Sequence, residues 1–181
     1  DTILKRMRRK YTTQEFKAKI DEVRDALPNF ALTSDVIVGF PGETDEQFER
    51  TYQFINELRF AELHVFPYSP RSGTPAARMP EQVDPEVKQE RVQRLIALSE
   101  QLSRSYAAQF KGEIMEVIPE QLYQEDGETG RLVGYSDNYL KVVFKGEEGM
   151  LGQLIKVQID QTGYPYNFGT IVSEGECATT A

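Results

Sequence analysis

The 181-residue sequence has few of the side chains that hold metals and carry redox chemistry. It contains one cysteine, Cys177, one histidine, His64, and no tryptophan. A single cysteine excludes an internal disulfide framework and any cysteine-rich metal site built from this chain alone. His64 lies within an apolar stretch, with no cysteine or carboxylate motif beside it, so we interpret it as a packing residue rather than a ligand or base.

Long apolar runs and a uniform charge are also absent. No apolar stretch approaches the roughly 20 residues that cross a bilayer, and the first ten residues are too charged for a secretory signal. We therefore expect a cytoplasmic protein. The formal net charge of −8 is unevenly placed, because residues 1–110 carry 16 basic and 17 acidic residues, whereas 111–181 carry 5 and 12. This asymmetry predicts two domains, 1–110 and 111–181.

One stretch, Asp35-Val-Ile-Val-Gly-Phe-Pro-Gly-Glu-Thr44, joins a β-branched run to a glycine turn and a helix N-terminus. The run is typical of a strand buried in a parallel α/β sheet. Gly39 and Gly42 permit backbone angles that other residues avoid, and Thr44 with Gln47 forms a capping-box pattern. The turn follows a strand, where α/β enzymes place ligands, but a purely structural role stays open.

The first 110 residues alternate helical and strand patterns. Apolar spacing predicts helices over 12–27, 44–58 and 84–111, and short apolar runs predict strands over 30–40 and 61–68. The strand, helix, strand order predicts a parallel pair. Two parallel strands cannot bury both faces, so we expect the end of a larger α/β barrel, with one sheet edge unpaired and an N-terminal portion missing.

After Gly112 the apolar pattern becomes alternating. Five short strands are predicted, over 114–118, 131–135, 139–144, 154–159 and 169–172. So many short strands in about 65 residues indicate a small closed β-barrel. Such barrels commonly bind oligonucleotides, although a fold alone does not decide its function.

Three segments resemble the later part of the radical S-adenosylmethionine (SAM) methylthiotransferases: Leu4-x-x-Met7-x-Arg9-x-Tyr11-Thr12, the stretch 35–44, and Ser69-x-Arg71-x-Gly73-Thr-Pro-Ala-Ala77. The segment after 111 resembles the small RNA-binding TRAM barrel that closes those enzymes. The resemblance implies an α/β fold class: the C-terminal part of a partial (β/α) radical SAM barrel, followed by an all-β TRAM barrel.

Within that family, two segments are most similar to the branch that methylthiolates N6-threonylcarbamoyladenosine at position 37 of tRNA: Gly134-Tyr-Ser-Asp-Asn-Tyr139 and Gly163-Tyr-Pro-Tyr166. Related branches act on isopentenyl-adenosine or on an aspartate of a ribosomal protein, so these substrates stay open. An RNA-binding module without activity of its own is a further alternative.

The resemblance implies SAM and two 4Fe-4S clusters as cofactors of the full-length enzyme. Several cysteines are needed for such clusters, so the ligands would come from the missing N-terminal portion of the same protein. We therefore expect this chain alone to be inactive. The implied partners are SAM and a tRNA anticodon stem-loop.

The resemblance also implies roles for individual residues of the first domain. Arg9 would face the charged end of SAM, and Asp35 and Gly39 would lie against its ribose and adenine. The end of the second strand would supply further cofactor contacts from Phe66, Tyr68 and Ser69, and Arg71 would reach the substrate. Solvated arginines, packed aromatics and plain sheet packing are the alternatives.

In the predicted barrel, basic groups are interleaved with aromatic rings. The candidates for RNA contact are Arg131, Tyr139, Lys141 and Lys145, with Tyr135, Phe144 and Lys156 in the same pattern. Cations pair with phosphates, and rings stack on unpaired bases. Because this domain is acidic overall, such contact would be a local stripe, and a purely structural barrel is the alternative.

Overall fold

The computed structural model describes residues 1–124 and 129–172. Cys177 lies outside these residues. Contacts divide the chain into two compact units, Asp1–Leu102 and Ser103–Ala181. Within the described ranges, no helix is both long enough and apolar enough to span a bilayer.

The first unit alternates helices and strands as predicted. Its elements are α1 (Thr2–Arg6), α2 (Thr13–Ala26), β1 (Thr33–Val38), α3 (Asp45–Leu58), β2 (Glu62–Pro67) and the first part of α4 (Pro85–Ala108). Both predicted capping boxes form, at Thr12 with Glu15 and at Thr44 with Gln47. Each satisfies backbone N–H groups that a helix start leaves unpaired, so these helices begin where the sequence places them.

Strands β1 and β2 form a two-stranded parallel sheet, in register from Thr33 with Glu62 to Val38 with Pro67. Among the described residues, no third strand pairs with either. One face of the sheet packs on the helices, in a core that includes Val38, Phe48, Leu58, Leu63 and Leu95. The other face is exposed, because alternate side chains of a strand point in opposite directions.

The second unit contains a closed five-stranded barrel, as predicted. Its strands are β3 (Ile114–Leu122), β4 (Arg131–Ser136), β5 (Lys141–Lys145), β6 (Ile155–Gln161) and β7 (Asn167–Ile171). They close in the order β3-β4-β5-β7-β6. Val117, Leu132, Val142, Phe144 and Val157 are each no more than 2% exposed. The interpretation of Phe144 as an RNA-facing ring was therefore wrong, because its ring belongs to the barrel core.

A second apolar cluster covers the opposite face of β4 and β5. Val133 and Val143 pair across these strands and pack with Tyr123, Tyr166 and Phe168. They alternate with the core residues along each strand, so they lie on the outer face of the barrel. Apolar side chains from several segments therefore shape one side of this small domain.

Candidate functional site

The exposed face of the β1–β2 sheet borders a cleft of about 960 Å³, whose walls come from α1, α3 and the loop after β2. Six of the residues predicted from the sequence line it: Arg9, Asp35, Phe66, Tyr68, Ser69 and Arg71. Three separate segments of the chain supply them. The fold therefore brings together side chains that are up to 62 positions apart in the sequence.

Apolar and polar groups divide this cleft. Ile37 and Phe66 are paired on the neighbouring strands and lie side by side on the same face of the sheet. They are 39% and 49% exposed, so together they offer a flat apolar surface. Arg9 and Arg71 make no ion pair with any residue in the described ranges. The cleft can accordingly pack a planar ring and offer two guanidinium groups to an anion.

Tyr68 contributes a buried polar atom. Its ring meets Phe40 edge-on, with 5.2 Å between ring centroids, and its hydroxyl finds no hydrogen-bond partner among the described residues. Buried hydroxyls are nearly always paired. This hydroxyl in the wall of the cleft is therefore available for a further hydrogen bond.

Gly39 does not line the cleft. Its φ is +70°, and a Cβ built there would lie 2.2 Å from Cγ of Lys88. Its N–H donates to Oε2 of Glu43 at 2.7 Å. The close approach that this glycine permits is therefore that of Lys88, and a cofactor contact at Gly39 stays a prediction.

Glu43 and Arg91 hold the glycine turn, and sequence reasoning missed them. Arg91 donates to Oε2 of Glu43 at 2.6 Å and to Oδ1 of Asp45 at 2.7 Å. The Arg91 and Glu43 side chains are only 5% and 4% exposed. Burial raises the pKa of Glu43, while the Gly39 amide and Arg91 act in the opposite direction. No local pattern joins residues 48 positions apart, so the pair was not visible in the sequence.

The basic segment Lys5–Lys10 at the start of the chain also contacts this turn, through Arg6. A Cβ built on Gly42 would lie 2.0 Å from Nη1 of Arg6, and the Gly42 N–H donates to the Glu81 carbonyl at 2.8 Å. Arg6 itself approaches the Glu81 carboxylate at 3.5 Å. Arg6 is thus packed on the turn.

His64 is exposed on the same face of β2 as Phe66, in register with Asp35, and it does not line the cleft. The interpretation of His64 as a packing residue was therefore wrong. The missed signal is the alternation in Glu62-Leu-His-Val-Phe66, because Leu63 and Val65 pack on the core and turn His64 the other way. Within the described residues, no group of three His, Cys, Asp or Glu side chains could hold a metal ion.

On the barrel, three of the predicted basic residues, Arg131, Lys141 and Lys145, share the outer face of β4 and β5, whereas Lys156 lies on β6. Arg131 pairs with Lys145, and Tyr135 pairs with Lys141. The Lys141 ammonium lies 4.7 Å from the Tyr166 ring centroid and 5.9 Å from that of Tyr135. Cations over aromatic faces are attracted electrostatically, so the rings hold Lys141 in place at this surface.

Tyr139 is the most exposed of the large apolar side chains in the described ranges, at 67%, and its backbone is left-handed, with φ at +63°. The turn that holds it is hydrogen bonded: the Leu140 N–H donates to Oγ of Ser136 at 3.0 Å, and the Tyr139 N–H to the Ser136 carbonyl at 3.1 Å. Its ring centroid is 6.5 Å from that of Tyr135. Two exposed rings therefore lie together here, and the nearer of them to Lys141 is that of Tyr135.

Comparison with known proteins places these features among relatives. A radical SAM superfamily profile matches residues 1–55. The chain is 59% identical over 172 residues to the threonylcarbamoyladenosine tRNA methylthiotransferase MtaB of Bacillus subtilis, covering 95% of the chain and 38% of the relative.

Two further relatives are tRNA-2-methylthio-N(6)-dimethylallyladenosine synthases. That of Geobacillus thermodenitrificans is 43% identical, covering 88% of the chain and 30% of the relative. That of Bacillus subtilis is 40% identical, with 88% and 31% covered. The chain thus spans between three and four tenths of the length of these relatives.

Proposed function

Because this chain belongs to the radical SAM tRNA methylthiotransferases, we propose that it is part of an enzyme that methylthiolates N6-threonylcarbamoyladenosine at position 37 of tRNA. The choice of substrate rests on the difference in sequence identity between two groups of relatives. The relative named for threonylcarbamoyladenosine is 59% identical, whereas those named for dimethylallyladenosine reach 43% and 40%.

The cleft on the first unit fits SAM by the chemistry of its groups. Ile37 and Phe66 offer an apolar surface to an adenine, Asp35 can accept hydrogen bonds from ribose hydroxyls, and Arg9 can pair with a carboxylate. The buried Tyr68 hydroxyl is free to bond a further polar group. When bound and reduced by a cluster, SAM supplies the radical chemistry of the reaction. The residues of this chain bind the cofactor, orient it and exclude water.

The iron–sulfur clusters do not fit this chain. It has a single cysteine, and a 4Fe-4S cluster takes several cysteine ligands. In our proposal the ligands come from another part of the same protein, and no step of the reaction is assigned to a cluster on these residues. The cleft would then form one wall of a site that the remaining part completes.

The barrel would hold the RNA. Arg131 and Lys145 lie across from each other on the outer face, and Tyr135, Tyr139 and Lys141 lie toward its other end. Cations next to exposed rings suit phosphates and unstacked bases of a loop. We propose the anticodon stem-loop of the substrate tRNA as the partner of this face.

The test uses the complete protein that carries this chain, with its clusters reconstituted. It is incubated with SAM, a reductant and a sulfur source, together with tRNA carrying either threonylcarbamoyladenosine or dimethylallyladenosine. Mass spectrometry of the digested tRNA should detect the methylthio product of the threonylcarbamoyl nucleoside. Product formed only on the dimethylallyl nucleoside would reject the proposal.

A further inference from the structure

Strand β3 carries an exposed apolar side chain beside the face of β4 and β5 that would hold the RNA. Ile118 is 46% exposed and pairs with Tyr135, which is 38% exposed. Tyr135 in turn pairs with Lys141 on β5. Paired residues point to the same side of a sheet, and neighbouring strands are about 4.8 Å apart. One row of side chains on the outer face of the barrel therefore runs from apolar to cationic over about 10 Å.

A β-bulge and a glycine hold this pair in place. The register of β3 against β4 shifts between Pro119 and Gln121, directly after Ile118. On the facing strand, a Cβ built on Gly134 would lie 2.0 Å from the Ile118 carbonyl oxygen and 2.5 Å from Cα of Pro119. Bulges next to functional sites direct side chains, and a strand glycine permits close approach of two backbones. The two backbones thus fix the Ile118 side chain next to the Tyr135 ring.

The charges around Ile118 suit a neutral group rather than a phosphate. Glu116 lies two residues earlier on the same face of β3, Glu120 lies at the register shift, and both are exposed. Their carboxylates repel a phosphate, whereas the ammonium group of Lys141 at the other end of the row attracts one. A nucleotide bound along this row would therefore place its phosphate toward Lys141 and its base toward Ile118.

The small apolar area favours a nucleobase over a protein surface. The exposed apolar side chains of the row are Ile118, Tyr135 and Leu154, which precedes Ile155, the partner of Val117. Stable protein interfaces take about 20–30 residues from each side. One aromatic side chain, in contrast, is enough to stack a base. The occupant that fits this row is a single unpaired nucleobase.

We propose that Ile118 and Tyr135 together form the surface on which one unpaired base of the tRNA anticodon loop lies. This inference rests on the proposed function and extends its RNA face from β4 and β5 onto β3. The Tyr135 ring stacks on the base, and Ile118 covers the part of the base that extends beyond the ring. Because Ile118 contributes apolar contact and releases no counterion, its contribution is independent of salt.

Two isoleucines of β3 provide a matched pair of variants. Ile114 and Ile118 are both 46% exposed. Ile114 lies on the same face about 13 Å away along the strand and pairs with Gln158 on β6. In the complete protein, Ile118→Ala should weaken binding to an anticodon stem-loop by about 3- to 10-fold, the loss expected for part of one apolar side chain, without changing the salt slope. Ile114→Ala should bind like the parent. Fluorescence anisotropy over a range of salt concentrations measures both.

Ile118→Phe tests the same surface by adding a ring. It should bind the stem-loop at least as tightly as the parent, because a ring stacks on a base, and misfolding cannot produce this result. None of the three variants should alter binding to a fully paired RNA duplex, whose bases are not available for stacking on a side chain. In a Tyr135→Ala background, Ile118→Ala should lose most of its effect, because both side chains contact the same base.

Other outcomes overturn the inference in distinguishable ways. If Ile118→Ala binds like the parent while Arg131→Ala weakens binding, Ile118 makes no contact but the proposed RNA face stands. A flatter salt slope in Ile118→Ala would mean that a phosphate lies there instead of a base. A changed oligomeric state in Ile118→Ala, measured by light scattering, would assign this residue to a protein contact. If neither Ile118→Ala nor Arg131→Ala has an effect, the RNA face of the proposed function is itself rejected.

Discussion

At the residue scale, Glu43 and Arg91 stabilise the conformation of the glycine turn. Glu43 accepts from the Gly39 amide and from Arg91, while Arg91 also reaches the Glu43 carbonyl and Asp45. Both charges are almost fully buried. Removing one partner of such a pair strands the other charge away from water, which costs far more than losing a surface ion pair.

Arg91→Ala should therefore destabilise the protein by about 3–5 kcal/mol, measured by urea unfolding. Arg94→Ala is the matched control on the same helix, because Arg94 pairs with Glu49 while 40% exposed. Exposed pairs contribute at most about 1 kcal/mol, and the attraction of the Arg94 guanidinium to the rings of Phe48 and Tyr52 adds a further part. Equal destabilisation in the two variants would contradict the structural role of Arg91.

Tyr106 should make the stability of the second unit depend on pH in the alkaline range. Burial, with a smaller effect of Asp137, raises the pKa of its hydroxyl to about 12, against the ordinary value of 10.0, while the Asn138 side chain acts in the opposite direction. The unfolded chain thus loses this proton at a lower pH than the folded one. Its contribution to stability is complete below about pH 10 and is lost as pH rises toward about 12.

Tyr106→Phe should accordingly flatten the fall in unfolding free energy above about pH 10, as measured by urea unfolding at a series of pH values. Tyr139→Phe, at an exposed position, serves as the control and should keep the parent slope. A parent and a Tyr106→Phe variant with the same slope would show that this hydroxyl does not titrate with folding.

At the scale of elements, the sequence predicts more than it does at the scale of single residues. Helix starts, the parallel strand pair and the barrel strands all follow from capping patterns and apolar periods. The orientation of Phe144 did not, because Val142, Val143 and Phe144 are all apolar and the two faces of β5 read alike. The Glu43–Arg91 pair needs the tertiary fold itself, because contact across 48 positions leaves no local pattern.

The β4–β5 hairpin should contact RNA through single charges. Arg131→Ala and Lys145→Ala should each weaken binding to an anticodon stem-loop and flatten the dependence of log affinity on log salt by up to about one unit, if each side chain meets one phosphate. Lys111→Ala, a change outside β4 and β5, should leave the salt slope unchanged. Fluorescence anisotropy over a range of salt concentrations measures all three. Slopes that match the parent throughout would move the RNA site away from this hairpin.

At the scale of the whole molecule, charge and cysteine content limit what the chain does alone. Residues 111–181 carry 12 acidic residues against 5 basic ones, so the field of this region opposes approach of RNA, and the proposed RNA contact is confined to the local face around β4 and β5. Among the described residues, the cleft of the first unit holds groups that suit SAM but none that suit a cluster. In our proposal each unit therefore supplies a binding surface, and the iron–sulfur clusters are held by another part of the protein.

The chain treated with iron and sulfide under reducing conditions should therefore bind far less than the about four irons per chain of one cubane cluster. The measurement is iron content together with visible absorbance after gel filtration. The complete protein prepared in parallel is the positive control. A chain that retains about four irons and absorbs visible light would mean that ligands other than cysteine hold a cluster.

The left-handed backbone at Tyr139 lowers the stability of the barrel, whereas the Tyr139 ring is proposed to contact RNA. A residue with a Cβ pays about 1–2 kcal/mol to adopt this conformation, and glycine does not. Tyr139→Gly should thus raise the melting temperature of the barrel while removing a ring proposed to stack on a base. A library of this barrel selected only for survival on heating should drift to glycine or asparagine at 139, whereas one selected for retention on RNA should keep an aromatic residue there.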